Sequence, residues 1–519
     1  MQWPANGCTR FLMPQNQLSV ALGATALVAA AALYYTGSSK KNDAPFPPGP
    51  KGTFLLGNAT DMPPSEAWLT FSEWAKTYGP IVHLNIFGRH IIVLNDLQYA
   101  ADMLEKKSRI YSNRPNLVMG GNLVGWDQGP ALIQFGKTWS QYRRLIAQFL
   151  GTRLRVETSY NHVLEESTHS LLNSLLQTPN SWKKHGYRFA GAIVLKVTFG
   201  YEVGDETDPL VKLGDKAMIQ FSEMTNATAF AVDTFPSLLY VPKWFPGAGW
   251  QKKIVPYRTT LQNMLDIPFE WAKKQMEMGT SKSCVVSDLL ESQEEEESII
   301  RWVAGGIFSG GAETTATAFQ WFILAMLLYP EAQRKAQAEL DAVLGPCTVP
   351  RLADHSRLPY IEALMCEVLR KYPMIPLGLA HAAAEDDIHE GFFIPKGAVV
   401  IPNNWHFCHD PSIYPNPDSF EPERFIETPT HAKEKDPRDI IFGYGRRVCP
   451  GIHLADASMW LLFASILAFF DISAPMQDGH PVLPSGKHSN SGISHPEPFE
   501  CTISVRKGGE EAIRRFADV

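Results

Sequence analysis

The sequence has little charge and few cysteines for its 519 residues, and these shortages exclude several classes of protein. Charged residues make up 19% and hydrophobic residues 45% of the chain, a composition typical of a folded globular protein rather than a disordered one. Basic residues are not in excess, because 47 lysines and arginines against 54 aspartates and glutamates give a net charge of −7. Such a chain has no general electrostatic attraction for nucleic acid, and we expect no nucleic-acid partner.

The seven cysteines show no pattern typical of a disulfide scaffold. Their number is odd, their spacing is irregular, and no C-x-x-C occurs, so neither a disulfide framework nor a cysteine-rich zinc site is expected. His406, Cys408 and His409 resemble part of a metal-ligand cluster. Zinc is only a minor alternative there, because no second cluster completes a tetrahedral ligand set.

Long uncharged runs are rare, and one lies near the amino terminus, from Leu18 to Tyr35. Its eighteen residues match the lower end of the length of a transmembrane helix. Lys40 and Lys41 follow it and only Arg10 precedes it, a weak bias that places the rest of the chain in the cytosol. A cleaved signal peptide is the alternative. We favour an uncleaved anchor, because the cysteine pattern is not that of a secreted protein.

The remaining chain has no internal repeat and no flexible linker after residue 50. Residues 80–95 alternate around a glycine like a hairpin, residues 96–370 show mostly helical periodicity, and residues 376–402 contain short strand-like runs. We therefore predict a mainly α fold with a small β portion, as a single large domain behind one amino-terminal transmembrane helix. The predicted divisions are a tip at 1–17, the anchor at 18–35, a proline-rich hinge at 36–50, and the large domain at 51–519.

The longest apolar stretch runs from Ser298 to Leu328 and carries Glu313 near its middle. A second membrane span is disfavoured here, because an acid in lipid is costly and marks a functional site. Gly310 and Gly311 beside it let another group approach the backbone closely. We therefore predict a long helix that crosses the core of a large domain.

Cys449 lies in a glycine-rich loop, Phe442 to Gly451, with the sequence FGYGRRVCPG. The G-x-G-x-x-G nucleotide fingerprint fails here, since Val448 occupies the third glycine position. The glycines permit a tight loop, Arg447 places positive charge near the sulfur, and the apolar run that follows predicts a helix beginning near the cysteine. These features stabilise a thiolate. A buried thiol in a turn is the structural alternative.

The pattern F-x-x-G-x-R-x-C-x-G resembles the haem-binding loop of the cytochrome P450 family, in which a cysteine thiolate binds the haem iron. Four further segments match this family in the right order, and the resemblance covers about residues 45 to 505. It implies the cytochrome P450 fold and haem b as the cofactor. It also implies that Cys449 is the axial metal ligand and that Arg447, Phe442 and Gly443 are cofactor-binding residues.

Two of the matching segments are implied to reach the haem propionates. Trp139 and Arg143 form a W-x-x-x-R pair on one helix face, for which a surface aromatic–cation pair is the alternative. His381 ends a segment that in the family lines the substrate pocket, at a position where many members carry Arg or His. A histidine binds such an anion only when it has gained a proton or points an N–H group inward.

The other two matching segments concern catalysis and structure. Glu313 and Thr314 resemble the acid–alcohol pair of the family's oxygen-binding helix, which implies catalytic roles for both in a proton relay through water. Glu367 and Arg370 form an E-x-x-R pair, which the family joins to the arginine of P-E-R-F, here Arg424, in a structural triad. A solvated surface pair is the usual alternative for this spacing.

The resemblance, which is to fungal microsomal members linked to secondary metabolism, implies a monooxygenase. Such an enzyme inserts one oxygen atom from O2 into a C–H or C=C bond of a lipophilic small molecule, in secondary metabolism or xenobiotic oxidation. No Rossmann fingerprint or flavin module is found, so a separate NADPH–cytochrome P450 reductase is the implied electron donor. Arg446 is a candidate for its docking face. Membrane lipid is a further implied partner, with the catalytic domain on the cytosolic side of the endoplasmic reticulum membrane.

The substrate is not defined by the sequence. The regions where the family varies its pocket hold apolar residues that can equally belong to the core: Leu117, Val118, Met119, Leu123, Trp126, Phe221, Phe230 and Phe235. The loop 244–250 is a candidate second membrane contact, with ordinary loop packing as the alternative. Two other functions stay open, a haem-thiolate isomerase or lyase without external reductant and a non-catalytic membrane haem protein. The intact Glu313–Thr314 pair disfavours the first of these.

Overall fold

The computed structural model describes residues 44–517 except residues 206, 227, 228 and 490. The predicted tip at 1–17, the anchor at 18–35 and the first part of the hinge lie outside the described residues. The six cysteines that the structure describes are all free thiols, as the irregular spacing predicted.

The described residues are mostly helical. The helices of eight or more residues are α1 (Ala67–Tyr78), α2 (Lys137–Leu150), α3 (Arg153–Gln177), α4 (Trp182–Phe199), α5 (Pro209–Thr225), α6 (Gln251–Glu277), α7 (Val285–Ser292), α8 (Glu297–Leu328), α9 (Pro330–Val343), α10 (Pro359–Lys371), α11 (Ile452–Phe469) and α12 (Gly509–Ala517). This confirms the mainly α class.

Helix α8 is the long helix predicted from the apolar stretch, and it has 32 residues. It packs against α4, α5 and α11. The contact with α4 is close because Gly311 has no side chain: a Cβ atom there would lie 2.4 Å from a methyl carbon of Val194. Phe322 of α8 stacks on Phe463 of α11 with ring centroids 4.1 Å apart. The two helices thus share the apolar core.

The β portion consists of short strands. They are β1 (Ile81–Ile86), β2 (Arg89–Leu94), β3 (His381–Ala382), β4 (Asp387–His389), β5 (Phe392–Ile394), β6 (Val399–Pro402), β7 (Phe470–Ser473), β8 (Met476–Gln477), β9 (His480–Pro481) and β10 (Thr502–Val505). The largest sheet has the order β1-β2-β6-β3, with β2 parallel to β6 and the other pairs antiparallel. The hairpin predicted over 80–95 and the strands predicted over 376–402 are confirmed.

A small separate unit comprises residues 44–46 and 388–393 of the described chain. In it the ring of Phe46 lies 5.7 Å from that of Phe393, and the backbone N–H of Phe393 donates a 2.7 Å hydrogen bond to the carbonyl of Pro45. The main unit comprises residues 47–387 and 394–517, and it contains every residue of the candidate active site.

Among the described residues, one helix is long and apolar enough to cross a membrane, namely α11. Its buried fraction is 83%, because it is surrounded by other elements of the main unit. Helix α11 therefore has the length and composition of a membrane span but lies in the core of the main unit.

Candidate active site

A large cavity of about 720 Å³ lies in the main unit, within the size range of sites for small molecules and cofactors. Helix α8 forms one side with Gly310, Gly311, Thr314 and Thr315. Cys449 is among the residues that line the same cavity. The fold thus brings the cysteine loop and the middle of the long helix, which are far apart in the sequence, to one space.

The loop that carries Cys449 is held in a tight turn. The backbone N–H of Cys449 donates a 2.7 Å hydrogen bond to the carbonyl oxygen of Phe442. Gly443 and Gly445 have φ angles of 86° and 51°, in the left-handed region that glycine adopts readily. A Cβ atom on Gly445 would lie 2.5 Å from the carbonyl oxygen of Leu104, so no larger residue fits there without displacement of the backbone.

Electrostatic effects on Cys449 come from its own loop and from helix α2. Burial raises the pKa of the Cys449 thiol, whereas the backbone N–H of Gly451 and the guanidinium of Arg143 lower it. Helix α11 begins three residues after the cysteine, as predicted. The sequence placed the charge of Arg447 near the sulfur, and the structure adds a second cation, Arg143 of α2. Its guanidinium donates a 2.6 Å hydrogen bond to the carbonyl oxygen of Val448, the residue before Cys449.

Arg447 has a different position and different partners. Its guanidinium donates hydrogen bonds to the carbonyl oxygens of Ser112, Pro130 and Ile133, at 2.8, 3.3 and 2.6 Å. Burial and the neighbouring Arg143 lower its pKa to about 10. The ring of Trp139 lies against both cations, with its centroid 5.2 Å from Cζ of Arg447 and 6.0 Å from Cζ of Arg143.

Arg114 is a third arginine of the cavity wall, and the sequence motifs gave no sign of it. It donates to the carbonyl oxygens of Ala131, Leu379 and Ala380, at 3.0, 2.6 and 3.0 Å. Burial lowers the pKa of Arg114 well below its ordinary value, and the charge of Arg447 adds to this effect. No pattern or spacing distinguishes this residue in the sequence, because only the fold brings it to the other cations.

His381 lines the cavity and is held by its ring nitrogen Nδ1, which donates a 2.7 Å hydrogen bond to the carbonyl oxygen of Tyr111. Burial lowers the pKa of His381 well below its ordinary value, and the charges of Arg114 and Arg447 add to this effect. The ring is therefore neutral, and its single N–H group is already engaged. An anion in the cavity can bind Nε2 only if a second proton arrives with it.

The residues around this cavity fit haem. Arg114, Arg143 and Arg447 line it, and none of them forms an ion pair with a carboxylate of the described chain. Buried cations normally need anionic partners, and arginine is suited to carboxylates. Haem supplies two propionate carboxylates and an iron that a thiolate can bind. The charge that the protein leaves unbalanced at this site therefore matches the charge that the cofactor carries.

The acid and the alcohol of α8 lie in different surroundings. Thr314 lines the cavity, and its hydroxyl donates a 2.7 Å hydrogen bond to the carbonyl oxygen of Gly310 in the preceding turn. Glu313 is not among the lining residues; it is 3% exposed and its Oε1 lies 3.0 Å from Nε2 of His495. The sequence predicted the pair but not the histidine, which lies in a carboxyl-terminal loop that no motif marked.

The E-x-x-R pair forms a fully buried ion pair rather than the solvated surface pair of the alternative interpretation. Arg370 donates two hydrogen bonds to Glu367, from Nε at 2.7 Å and from a terminal nitrogen at 2.8 Å. Arg424 lies 3.3 Å from the same carboxylate, which confirms the predicted triad, and it also binds Glu434 at 2.8 Å. The backbone N–H of Glu421 donates to Glu367 as well, so the triad holds the meander that precedes the cysteine loop.

The zinc alternative finds no support in the described part of the chain, where no group of three His, Cys, Asp or Glu side chains is placed to hold a metal ion. His409 stacks on Trp405 with ring centroids 4.0 Å apart, and its Nδ1 binds the carbonyl of the same residue. Cys408 is fully buried, and burial raises the pKa of its thiol to about 12. These side chains are part of the core.

The apolar residues predicted for the substrate pocket divide into two groups. Four of them line the cavity: Leu117, Trp126, Phe221 and Phe235. The other four, Val118, Met119, Leu123 and Phe230, are not among its lining residues. Val118, Met119 and Phe230 are instead buried in the core.

The comparison with known proteins agrees with this geometry. The sequence profile of the Cytochrome P450 family matches residues 47–502. Cytochrome P450 monooxygenase 208 of Postia placenta is 46% identical over 492 residues, which cover 94% of this chain and 96% of the relative. Cytochrome P450 monooxygenase claR of Ampulloclitocybe clavipes is 40% identical, with 94% of this chain and 91% of the relative covered. Cytochrome P450 monooxygenase ppsD of Aspergillus oryzae is 39% identical, with 89% of each covered.

The chain therefore belongs to the cytochrome P450 family, and it is a cytochrome P450 monooxygenase. Haem with a thiolate ligand, O2, a substrate and a redox partner are what this family generally requires.

Proposed function

We propose that this chain uses haem b to insert one oxygen atom from O2 into a C–H or C=C bond of a lipophilic small molecule in fungal secondary metabolism or xenobiotic oxidation. The observation that carries the proposal is the position of Cys449 in a cavity lined by Arg114, Arg143 and Arg447, none of which forms an ion pair with a carboxylate of the described chain. When bound, haem supplies the reductive activation of O2, and thiolate ligation favours cleavage of the O–O bond.

The protein's part begins with holding the cofactor. Cys449 is the proposed iron ligand, and the N–H of Gly451 and the charge of Arg143 favour its thiolate form. Arg114, Arg143 and Arg447 would bind the propionates, with Trp139 packed against two of them. The carbonyl groups that receive hydrogen bonds from these arginines fix the guanidinium groups before the cofactor arrives, so little side-chain entropy is lost on binding.

Proton supply is the second task of the chain. Thr314 is the proposed proton donor at the cavity, and Glu313 is the proposed source behind it. A Cβ atom at Gly310 would meet no atom within 4 Å, so the groove beside Thr314 has room for water. Water in that groove can connect the hydroxyl group to an acid on the same helix.

The substrate class follows from the wall of the cavity. Trp126 and Phe221 pack edge to face at 4.7 Å on one part of the wall, and Ile307 and Ile493 add aliphatic surface. Such a wall excludes water and favours apolar ligands through burial of their surface. The proposed substrate is therefore a lipophilic molecule held mainly by shape.

A membrane location is the further part of the proposal. Residues 18–35 would anchor the chain in the endoplasmic reticulum membrane with the domain in the cytosol. In the loop 244–250, Trp244 is 80% and Phe245 is 51% exposed, so packing against the protein does not explain these side chains. On another loop Phe54 is 100% exposed. Exposed aromatic residues of this kind are typical of contact with a membrane interface.

The membrane contact has a direct test on a protein that lacks the anchor. A Trp244→Ala/Phe245→Ala double variant is expected to bind lipid vesicles more weakly than the unchanged domain. Leu154→Ala is a control outside the loop, because it removes an apolar side chain that is 70% exposed on helix α3. Equal vesicle binding by the double variant and the unchanged domain would argue against the contact.

The electron donor is proposed to be a separate NADPH–cytochrome P450 reductase. Arg446 is exposed at the cysteine loop, with its guanidinium 5.0 Å from the ring centroid of Phe135, and is therefore available to an acidic partner. An Arg446→Glu variant is expected to accept electrons from the reductase more slowly than wild type. The difference should be larger at low salt than at high salt, because salt screens the surface charge that acts on association. Unchanged reductase dependence would remove Arg446 from the docking face.

The proposed function is tested by a carbon monoxide difference spectrum of the reduced full-length protein. We expect the strongly red-shifted Soret band that is characteristic of thiolate-bound haem. The Cys449→Ala and Cys449→Ser variants should lose both this band and all reductase-dependent oxidation. Normal activity in Cys449→Ala would contradict the proposal. Product formation without any reductant would instead favour the isomerase or lyase, and haem without substrate-stimulated oxygen use would favour the non-catalytic protein.

A further inference from the structure

The carboxylate of Glu313 lies in a cluster of ionisable groups that faces away from the cavity. Its Oε1 lies 3.0 Å from Nε2 of His495 and 3.4 Å from the hydroxyl of Tyr187. Its other oxygen, Oε2, is buried and accepts no hydrogen bond from the described part of the chain. A buried carboxylate oxygen without a donor is costly, so Oε2 is the position at which this carboxylate can accept one further hydrogen bond.

The hydrogen bonds around His495 define where its protons are. The hydroxyl of Thr317 donates to the carbonyl oxygen of Glu313 at 2.8 Å, so its oxygen is free to accept. Nδ1 of His495 lies 3.2 Å from this oxygen and is therefore the N–H donor. Nε2 then faces Glu313, and the pair shares one proton, as a carboxylic acid with a neutral imidazole or as a carboxylate with an imidazolium.

Asp215 of helix α5 reaches the same cluster from another element. Burial raises the pKa of Asp215 to about 6, and the charge and a hydrogen bond of Glu313 add to this effect, whereas His495 and Lys183 oppose it. Asp215 and His495 are both partly exposed, in contrast to Glu313. The cluster therefore connects Asp215 and His495, which solvent can reach, with the buried acid Glu313. Glu313 is the residue before Thr314 in the chain.

We propose that His495 and Asp215 are positioning residues that reload Glu313 with protons from solvent, so that proton supply to Thr314 passes through this cluster. This proposal rests on the proposed function and names the source of its protons. In one cycle a proton from water binds His495 or Asp215 and crosses to Oε1 or Oε2 of Glu313. The protonated side chain of Glu313 then turns towards the groove beside Gly310 and releases the proton to water there, and the deprotonated carboxylate turns back to His495. Each step moves one proton and no electron.

The loop that carries His495 gives the proposal a connection with the substrate. Ser491, Gly492 and Ile493 of this loop line the cavity, and the carbonyl oxygen of Ser494 accepts a 2.8 Å hydrogen bond from the indole of Trp321 in α8. The loop is thus fixed to the helix on one side and open to the ligand on the other. Ligand contact with residues 491–493 therefore acts on the same short segment that places His495.

The test uses the full-length haem protein with its reductase and compares His495→Gln, Asp215→Asn and Glu313→Gln. His488→Gln is the matched control, because it makes the same exchange on the same loop, where Nδ1 of His488 binds the hydroxyl of Ser494 and not Glu313. The first readout is the rate of NADPH oxidation without added substrate, in H2O and in D2O, between about pH 5 and 8. We expect His495→Gln to slow this rate roughly tenfold, a smaller effect than the loss of a group that itself transfers the proton to the reacting atoms. The ratio of the rates in H2O and D2O should increase.

The second readout needs no turnover. Infrared difference spectra of the resting protein follow the carboxyl stretch of Glu313, identified by its loss in Glu313→Gln. This band should change in frequency in His495→Gln, because the group 3.0 Å from Oε1 is replaced, and should stay unchanged in His488→Gln. A His495→Gln protein that matches His488→Gln in rate, isotope effect and pH profile would overturn the relay. Absence of reductase-dependent NADPH oxidation in the wild type would instead overturn the proposed function and the relay together.

Discussion

Arg143 of helix α2 donates a 2.6 Å hydrogen bond to the carbonyl oxygen of Val448, the residue before Cys449. The bond joins two segments that are 305 positions apart in the sequence. It places a guanidinium group beside the thiol that is proposed to bind iron, and it restrains the loop on which that thiol lies. One side chain thus acts on both the charge and the position of the ligand.

Replacement of Arg143 by Ala is expected to weaken haem retention, because both the contact with the cysteine loop and a propionate partner are lost. The measurement is haem bound per protein after gel filtration, together with the carbon monoxide spectrum. Arg144→Ala is the control, since the next residue of the same helix is 54% exposed and pairs with Glu295. Equal haem retention in Arg143→Ala and wild type would contradict the role of Arg143.

Replacement of Gly445 by Ala is expected to abolish the thiolate signature while leaving most of the helical fold. The added methyl group would lie 2.5 Å from the carbonyl oxygen of Leu104 at a φ of 51°, so the loop must move. Gly249→Ala is the control outside the cavity, because a Cβ atom there meets no atom within 4 Å. Similar carbon monoxide spectra for the two variants would show that the loop tolerates the shift.

Replacement of Glu367 by Ala is expected to destabilise the domain by about 3–5 kcal/mol, because two buried guanidinium groups lose their carboxylate. The measurement is the unfolding midpoint in urea. Glu423→Ala, which breaks an exposed pair with Lys335, should cost about 1 kcal/mol or less. If both variants lose a similar amount of unfolding free energy, the buried triad stabilises the domain no more than an exposed ion pair does.

Replacement of Thr314 by Ala is expected to divert reductant to peroxide, because the hydroxyl at the cavity no longer supplies protons. The measurement is peroxide released for each NADPH oxidised. Thr260→Ala is a suitable control, since this buried threonine makes the same bond to the preceding turn, at 3.0 Å to Pro256, in a helix segment outside the cavity. A peroxide yield as low as in the control would remove the role of Thr314.

Glu362 is predicted to stabilise the folded protein in a way that is lost at acid pH. Burial raises the pKa of this carboxyl, but His355 and Arg438 outweigh burial and lower it from 4.5 to about 2. A lowered pKa in the folded state stabilises the protein above the ordinary pKa, and this contribution is lost as the pH falls from about 4.5 towards 2.

At neutral pH the free energy of unfolding of Glu362→Gln should therefore be lower than that of wild type by on the order of 3 kcal/mol, and the variant should unfold at a lower temperature. This difference should narrow as the pH falls below about 4.5, as measured by thermal unfolding at a series of pH values. Glu331→Gln is the control, because its partner Arg334 and the carboxylate itself are both largely exposed. A difference that stays constant with pH would contradict this account.

Local chemistry made part of this protein predictable from its sequence. The apolar run with Glu313 at its centre predicted helix α8 within one residue at its start, because helix periodicity and a terminal proline are local signals. The alternation around Gly88 predicted the first hairpin for the same reason. The glycines around Cys449 predicted the tight loop and the helix that follows it, since a tight turn and a helix start are encoded in adjacent residues.

The tertiary structure alone decided which distant side chains surround that centre. Arg114 and His495 lie in segments without a motif, and only the packing of the chain brings them to the cavity wall and to Glu313. It also brought Arg143 of helix α2 to the thiol. The sequence determined the helices and the cysteine loop, because their signals are short-range. The charges around the site depend on contacts between residues hundreds of positions apart, which no local pattern contains.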